Sequence, residues 1–442
     1  MHETLKKLVI FALTLEARFV LWRFNPKIIA VTGSVGKATT KDAIYAALGN
    51  ELYVRRSEKS FNSDLGVPLA ILGLENAWRS PLQWALNLAY GLKVLVERKA
   101  YPAWLILEIG ADRPGDIRRI ARWLRPDIVV ITGVPEIPVH VEYFRSPKEL
   151  AREKRSLAEY VKTGGKLILN GDDARMVELC SEFRGMMIRY GLGKDNDFVG
   201  SREEIAYANG KPTGVRFSAR GGSVLGGPSD KRGFFSVPLA IPGALGRPRI
   251  YAALAALAVS EVVGVDSVSS ATALGGSLPP PGRMRIIPGV NGSTIIDDTY
   301  NSSPAAAHSA LETLKRVKAS RRIAILGDML ELGKYASDAH RTLGARAAES
   351  ADMLITLGFR ARAAAEAALD GGMADGNIRQ YEYTEAKRAG RELRDQLKEG
   401  DVVLVKGSQS MRMERTVKEL MQEPDQAHEL LVRQDPEWLA RK

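Results

Sequence analysis

Seven short apolar runs, at residues 28–32, 104–108, 127–132, 166–170, 321–327, 353–358 and 401–406, alternate with helical patterns along most of the chain. Strands separated by helices pair as parallel neighbours, and the crossover helices cover both faces of the sheet. An α/β class with mostly parallel sheets follows. Functional groups are then expected just past the carboxyl ends of the strands. Two stretches break the alternation. From about 196 to 242 the chain is glycine-rich with short alternating runs, which predicts antiparallel hairpins appended to the first domain. At 279–283 the sequence Pro-Pro-Pro-Gly-Arg holds the backbone extended and cannot continue a helix. The main boundary is therefore placed there. The expected layout is an apolar helix over 1–26, a central domain over 27–280, a C-terminal domain over 281–422, and a polar, peripheral tail over 423–442.

At 442 residues the chain is long enough for two or three cores. A composition 45% apolar and 26% charged excludes a disordered or fibrous protein. The net charge of +11 suits anionic small molecules. Because the basic residues are scattered and rarely interleaved with aromatics, no nucleic-acid partner is expected. The single cysteine, Cys180, leaves no internal disulfide and fits a reducing cytoplasm. A monomer is expected.

The segment LKKLVIFALTLEARFVLWRF, residues 5–24, is apolar around most of a helix, with Lys7, Thr14 and Arg18 as a narrow polar stripe. A large apolar surface must be covered by something. Charges at Glu16, Arg18 and Arg23 argue against a transmembrane span. Two readings remain: packing against the rest of the protein, or attachment to the inner surface of the membrane. A second apolar segment at 81–99 is either its packing partner or the other half of a membrane-facing patch.

The stretch KIIAVTGSVGKATTKD, residues 27–42, runs from an apolar strand through Gly33, Ser34, Val35 and Gly36 into Lys37 and a helical pattern. Glycines there let backbone amides approach phosphate oxygens, the lysine supplies a cation, and the helix N-terminus adds its dipole. The residue after the lysine is Ala38, where a Ser or Thr hydroxyl would ligate Mg²⁺. A working nucleotide site that lacks one oxygen and a retired site both fit.

The stretches accompanying this loop are SFNSDLGVPLAIL (60–72), LEIGADRPGDI (107–117), PEIPVHVEYF (135–144), AREKRSL (151–157), LNGDD (169–173), PGRMR (281–285), IDDTYNSSPAAAHSAL (296–311), ILGDMLELG (325–333) and VLVKGSQSMRME (403–414). Taken in this order over residues 27–420, the chain resembles the Mur ligase family, most of all its D-alanyl-D-alanine-adding members in peptidoglycan synthesis. The resemblance implies a central P-loop ATPase domain, a C-terminal Rossmann-like domain, and ATP-dependent amide formation through an acyl phosphate. The implied partners are a small-molecule carboxylate acceptor and an amine donor, with a peptidoglycan precursor as the acceptor.

Carried over residue by residue, the resemblance implies that Gly33, Ser34, Val35, Gly36, Ala38 and Thr39 cradle the phosphates and that Lys37 contacts the β- and γ-oxygens. Glu108 would ligate the bridging Mg²⁺. His140 would help hold a second metal, supported by a Lys154 carbamylated by CO₂. Arg283, Asp298, Tyr300 and Asn301 would reach the nucleotide from the C-terminal side. Asp328, Glu331, Lys406 and Ser408 would belong to the amine-substrate side.

Three departures qualify the resemblance. The first is Ala38. A water can replace one Mg²⁺ ligand, so slowed turnover is expected before lost turnover. In the second, Pro248, Arg249 and Ala252 stand where the family carries base-recognising His and Asn, and Ser303 stands where it carries Asn. In the third, 32 residues precede Gly33, too few for the UDP-sugar-binding domain that the peptidoglycan ligases place there. Two rivals stay open: a ligase for a different, lipid-linked carboxylate, and a non-catalytic nucleotide binder.

Overall fold

The computed structural model describes residues 3–58, 61–78, 80–96, 100–222 and 235–440. The end of the 81–99 segment, part of the glycine-rich stretch and the last two residues lie outside them. Two sheets organise the chain. The first contains β1 (Lys27–Thr32), β2 (Val54–Arg56), β3 (Trp104–Glu108), β4 (Ile128–Ile131), β5 (Lys166–Asn170), β6 (Met186–Gly191), β7 (Phe198–Ala208), β8 (Lys211–Gly221) and β9 (Phe235–Pro242). Their order is β2-β3-β1-β4-β5-β6-β7-β8-β9. Pairing is parallel as far as β7, and β8 and β9 continue the same sheet antiparallel. The glycine-rich stretch thus extends the main sheet.

The second sheet contains β10 (Arg285–Pro288), β11 (Thr294–Asp298), β12 (Arg321–Gly327), β13 (Met353–Leu357), β14 (Ile378–Tyr381) and β15 (Asp401–Lys406), in the order β10-β11-β15-β12-β13-β14. Only the β10–β11 pair is antiparallel. The seven runs read from the sequence are β1, β3, β4, β5, β12, β13 and β15, and five of these have at most one residue that is not buried. The strands that apolar runs do not reveal carry charge or are half-exposed, as in VRR for β2, TIIDD for β11 and IRQY for β14.

One helix and its neighbours set the character of the first unit's outer surface. The helix α1 (Glu3–Phe24) precedes β1; α2 (Lys37–Leu48) follows the phosphate-type loop; α3 (Gly66–Leu72) and α4 (Pro81–Val96) pack against α1. Val9, Leu13, Ala17 and Val20 of α1 are buried at helical spacing. Among the described residues no helix is long and apolar enough to cross a membrane.

Inside the α1–α4 seam lies Glu16, which is buried and whose Oε2 has no hydrogen-bond partner. Gly91 of α4 crosses directly over it: a Cβ at that position would stand 1.9 Å from Glu16 Oε2. Burial pushes the Glu16 carboxyl up to about 7. An acid raised in the folded state binds protons that the unfolded chain has released, so its contribution falls as pH rises from 4.5 to about 7 and the penalty is complete above that.

The tail beyond 422 corrects the expectation of a peripheral segment. Arg433 is buried and its Nη1 donates to Glu414 Oε2 at 2.9 Å and to the Thr299 carbonyl at 3.1 Å, while Nη2 donates to the Tyr300 carbonyl. Arg412 donates to the other Glu414 oxygen at 2.5 Å and to the Trp438 carbonyl at 2.9 Å. Trp438 meets Trp78 of the first unit edge to face at 6.3 Å. The tail reads as polar because charge pairing anchors it, along with Ala427 and Leu431, which are buried.

Replacing Glu16 by Gln is expected to raise the melting temperature at pH 8 by about 3 °C, with the gain vanishing near pH 4.5; a melting series against pH measures it.

Candidate active site

The loop after β1 is shaped by a close approach of two strand ends. Gly33 has φ +141° and a Cβ there would lie 2.0 Å from Thr132 Oγ1, so only glycine fits. Thr132 in turn donates its hydroxyl to the Val35 carbonyl at 2.6 Å, and Ser34 N donates to the Gly133 carbonyl at 2.8 Å. Gly36, at φ +85°, turns the chain into α2, whose first turn has no side-chain cap. Its amides are left for an anion. Ser34 Oγ is buried without a partner.

Lys37 is half-buried. Burial and the nearby Arg283 pull its ammonium below the usual lysine range, and Glu108 opposes the shift. Glu108, last residue of β3, is 2% exposed. Its Oε1 accepts from Asn62 Nδ2 at 2.9 Å and its backbone N–H donates to Ser57 Oγ at 3.1 Å, whereas Oε2 has no partner. An unpaired, buried carboxylate oxygen beside a lysine and a row of free amides is suited to a hard cation carrying phosphate oxygens. Lys154, on the helix Pro147–Arg155, is buried, and burial together with Lys37 brings it down to about 7.

The second unit reaches the same place through its linker. Gly282 N donates to Asp297 Oδ2 at 2.9 Å and Met284 N to Asp298 Oδ1 at 3.2 Å. Between them, Arg283 stacks on the Tyr300 ring at 3.9 Å. Lys406 Nζ donates to Asp298 Oδ2 at 2.6 Å and to the Asn301 carbonyl at 2.9 Å. Ser303 caps the helix Pro304–Arg316 by accepting from Ala306 N, the task a short polar side chain performs at that position.

These residues line a cleft of about 460 Å³ between the units. The loop from Gly33 to Thr39, Glu108, His140 and Lys154 border it from the first unit, and Arg283, Asp298, Tyr300, Asn301, Glu331 and Lys406 from the second. A larger cleft of about 1140 Å³ adjoins it and shares Ala38, Arg283, Tyr300 and Gln409 with it. Ala38 therefore stands on the wall common to both.

Several of the expected residues make side-chain contacts of their own. Nδ1 of His140 lies 2.6 Å from Glu331 Oε2 and Nε2 3.7 Å from Asp112 Oδ1. Among the described residues no group of three or more His, Cys, Asp or Glu side chains is arranged for a metal. Glu331 is a contact between the units, held below the usual carboxylate range by its hydrogen bond with His140. Asp328 and Ser408 border neither cleft. Asp328 accepts from Ala361 N at 2.7 Å, and Ser408 Oγ accepts from Leu330 N at 2.8 Å, so both side chains hold loops of the second unit together. Lys406 borders the smaller cleft, with Asp298 as its counter-ion.

Asn62 of the SFNSDLG stretch positions Glu108, and only the fold brings the two together. Arg249, a departure from the family pattern, is also part of the site. Arg249 is 7% exposed, borders the smaller cleft, and has an unpartnered Nε. Burial lowers its guanidinium to about 10, against the pull of Asp42.

Residues 31–260 match the description "Mur ligase middle domain", and residues 282–409 match "Mur ligase, glutamate ligase domain". The chain belongs to the Mur ligase family. Among curated relatives of this Mur ligase, the UDP-N-acetylmuramoyl-tripeptide--D-alanyl-D-alanine ligase of Bacillus subtilis (strain 168) is 28% identical over 416 residues, which is 93% of this chain and 80% of the relative. The protein of the same name from Synechocystis sp. is 28% identical over 403 residues, covering 91% and 76%. Among solved structures, the MurF ligase of Thermotoga maritima in complex with ADP superposes with a TM-score of 0.74 at 24% identity, covering 95% of this chain and 84% of that one. At that identity the superposition speaks for the fold.

Replacing Lys406 by Met takes the counter-ion from the half-buried Asp298, so the variant is expected to lose about 2 kcal/mol of stability in denaturant unfolding.

Proposed function

We propose that this Mur ligase joins a carboxylate to an amine at the expense of ATP, with a UDP-muramoyl tripeptide as acceptor and D-alanyl-D-alanine or a similar dipeptide as donor. One observation carries the reading: Glu108 Oε2, without a partner, faces the same cleft as Lys37, the loop amides and Arg283. The identity to D-alanyl-D-alanine ligases over most of the chain supports the choice of substrates.

In this reading the nucleotide lies in the smaller cleft, its phosphates on the Gly33–Thr39 loop and α2. Glu108 is the residue placed to hold a magnesium ion, which neutralises phosphate charge when bound. Ala38 supplies no oxygen to it. The larger cleft takes the acceptor, whose carboxylate meets the terminal phosphate at the wall the two clefts share. The carboxylate attacks phosphorus and ADP leaves; the amine then attacks the acyl carbon, losing a proton and expelling inorganic phosphate to leave the amide. Lys37 and Arg283 hold the anions together, and the stacked Arg283–Tyr300 pair closes the cleft against water. Arg249 offers its Nε to the nucleotide in place of a base-recognising histidine.

Lys154, near neutrality inside the cleft, carries an amine able to add CO₂, and we assign carbamylation to it. The modification would convert a cation that repels Lys37 into an anion that pairs with it. In ¹³C-bicarbonate, a carbamate resonance is expected for the parent protein and is expected to be absent for Lys154→Ala; its absence from both would remove this assignment.

The function itself is tested by phosphate release from ATP with and without UDP-muramoyl tripeptide plus D-alanyl-D-alanine. Release that requires both substrates is expected. It should rise about tenfold in Ala38→Thr, the gain that about 1.4 kcal/mol from one added oxygen contact gives, and should disappear in Lys37→Ala. No release from the parent or the Ala38→Thr protein, with nucleotide still bound, would leave a non-catalytic nucleotide binder.

A further inference from the structure

The helix α1 has two apolar faces, and the fold uses one. Val9, Leu13, Ala17 and Val20 point inward, while Leu8, Phe11, Leu15, Phe19 and Trp22 recur every three or four residues on the opposite side and stay exposed, Trp22 by 82%. The neighbouring α4 repeats the arrangement. It buries Trp84, Asn87 and Gly91 against the protein and leaves Leu82, Leu86 and Val96 outside, at 73%, 44% and 75%. Among the described residues these two helices carry eleven of the twenty exposed large apolar side chains of the molecule. Scattered surface leucines need no account, but a concentration on two touching helices does.

Charge decides what covers it. Lys6, Lys7, Arg18, Arg23 and Lys93 are exposed on the same two helices, and none of their described exposed side chains is acidic; Glu16 is turned into the seam and buried. On α1, Lys7 and Arg18 flank the apolar stripe on one edge and Arg23 on the other, at the helical spacing of 100° per residue. An apolar stripe whose described borders carry cations complements an anionic lipid surface, with acyl chains against the stripe and headgroups against the borders. Neither helix is long and apolar enough to cross.

We propose that the outward faces of α1 and α4 seat this protein on an anionic lipid bilayer, with both helices lying in the interface. The inference is independent of the substrate assignment, because it rests on no residue of either cleft.

The test uses the full chain sedimented with vesicles of phosphatidylcholine alone and of phosphatidylcholine mixed equally with phosphatidylglycerol. Binding to the mixed vesicles and its weakening by salt are expected. The Phe11→Ser, Phe19→Ser, Trp22→Ser triple variant, altered only at exposed positions, should bind the mixed vesicles at least about tenfold less tightly while releasing phosphate like the parent. A charge-reversed Lys7→Glu, Arg18→Glu variant, which keeps the apolar stripe, should lose the preference for mixed over neutral vesicles. Failure of the parent to sediment with mixed vesicles at low salt would overturn the proposal. So would a dimer in light scattering that the triple variant abolishes without any vesicle binding, since a second copy would then be the occupant.

Discussion

The adjacent carboxylates of Asp297 and Asp298 hold the geometry of the cleft together. At the end of β11 they accept the backbone N–H groups of Gly282 and Met284, the two residues flanking Arg283. Asp298 also takes Lys406 from the neighbouring β15, and Asp297 takes Thr299 through both its hydroxyl and its backbone N–H. The proline-rich linker is thereby fixed to the second sheet at its last residues. Arg283 can point only where that attachment aims it, onto Tyr300 and towards the phosphate-type loop. Burial pushes Asp297 up to about 6 even with its three donors, so the clamp is retained against a desolvation cost.

This clamp was not legible in the chain, and the reason generalises to the rest of the site. The parallel core strands were legible because burial on both faces forces continuous apolar runs, as in IVVI of β4 and MLITL of β13. The phosphate-type loop was legible because one close approach, at Gly33, dictates a residue type. Functions that depend on which distant residue lies opposite were not. Asp328 and Ser408 look like site residues at strand ends, yet each satisfies a backbone N–H within its own unit. Asn62 looks like any loop asparagine until β3 brings Glu108 beside it. The tail misled for a related reason: Glu414 pairs with Arg412 and Arg433, and charges that cancel inside a fold look in sequence like charges that face water.

The smaller cleft gathers cations. Lys154 and Arg249 are buried at its wall and Lys37 is half-buried there; burial lowers all three, Arg283 lowers Lys37 further, and Lys37 lowers Lys154 further. Such an arrangement is unfavourable for the folded chain alone, and an anion in the cleft would relieve it, because the same low dielectric that penalises isolated charge strengthens the pairing. The unpartnered Nε of Arg249 and Oε2 of Glu108 belong to the same account: they are polar atoms whose desolvation is already complete before a ligand arrives.

Two of the contacts between the units differ in kind. Attachment at the linker uses backbone donors and buried carboxylates, and opening it would expose Asp297, which is fully enclosed. The contact between His140 and Glu331 uses two side chains that are about one-third exposed, each on a residue with positive φ, 69° and 62°. Non-glycine residues in that conformation carry a backbone cost, and here both partners of one contact carry it. The linker attachment is thus held by enclosed carboxylates, whereas the His140–Glu331 contact is reached by solvent and carries backbone strain on both sides.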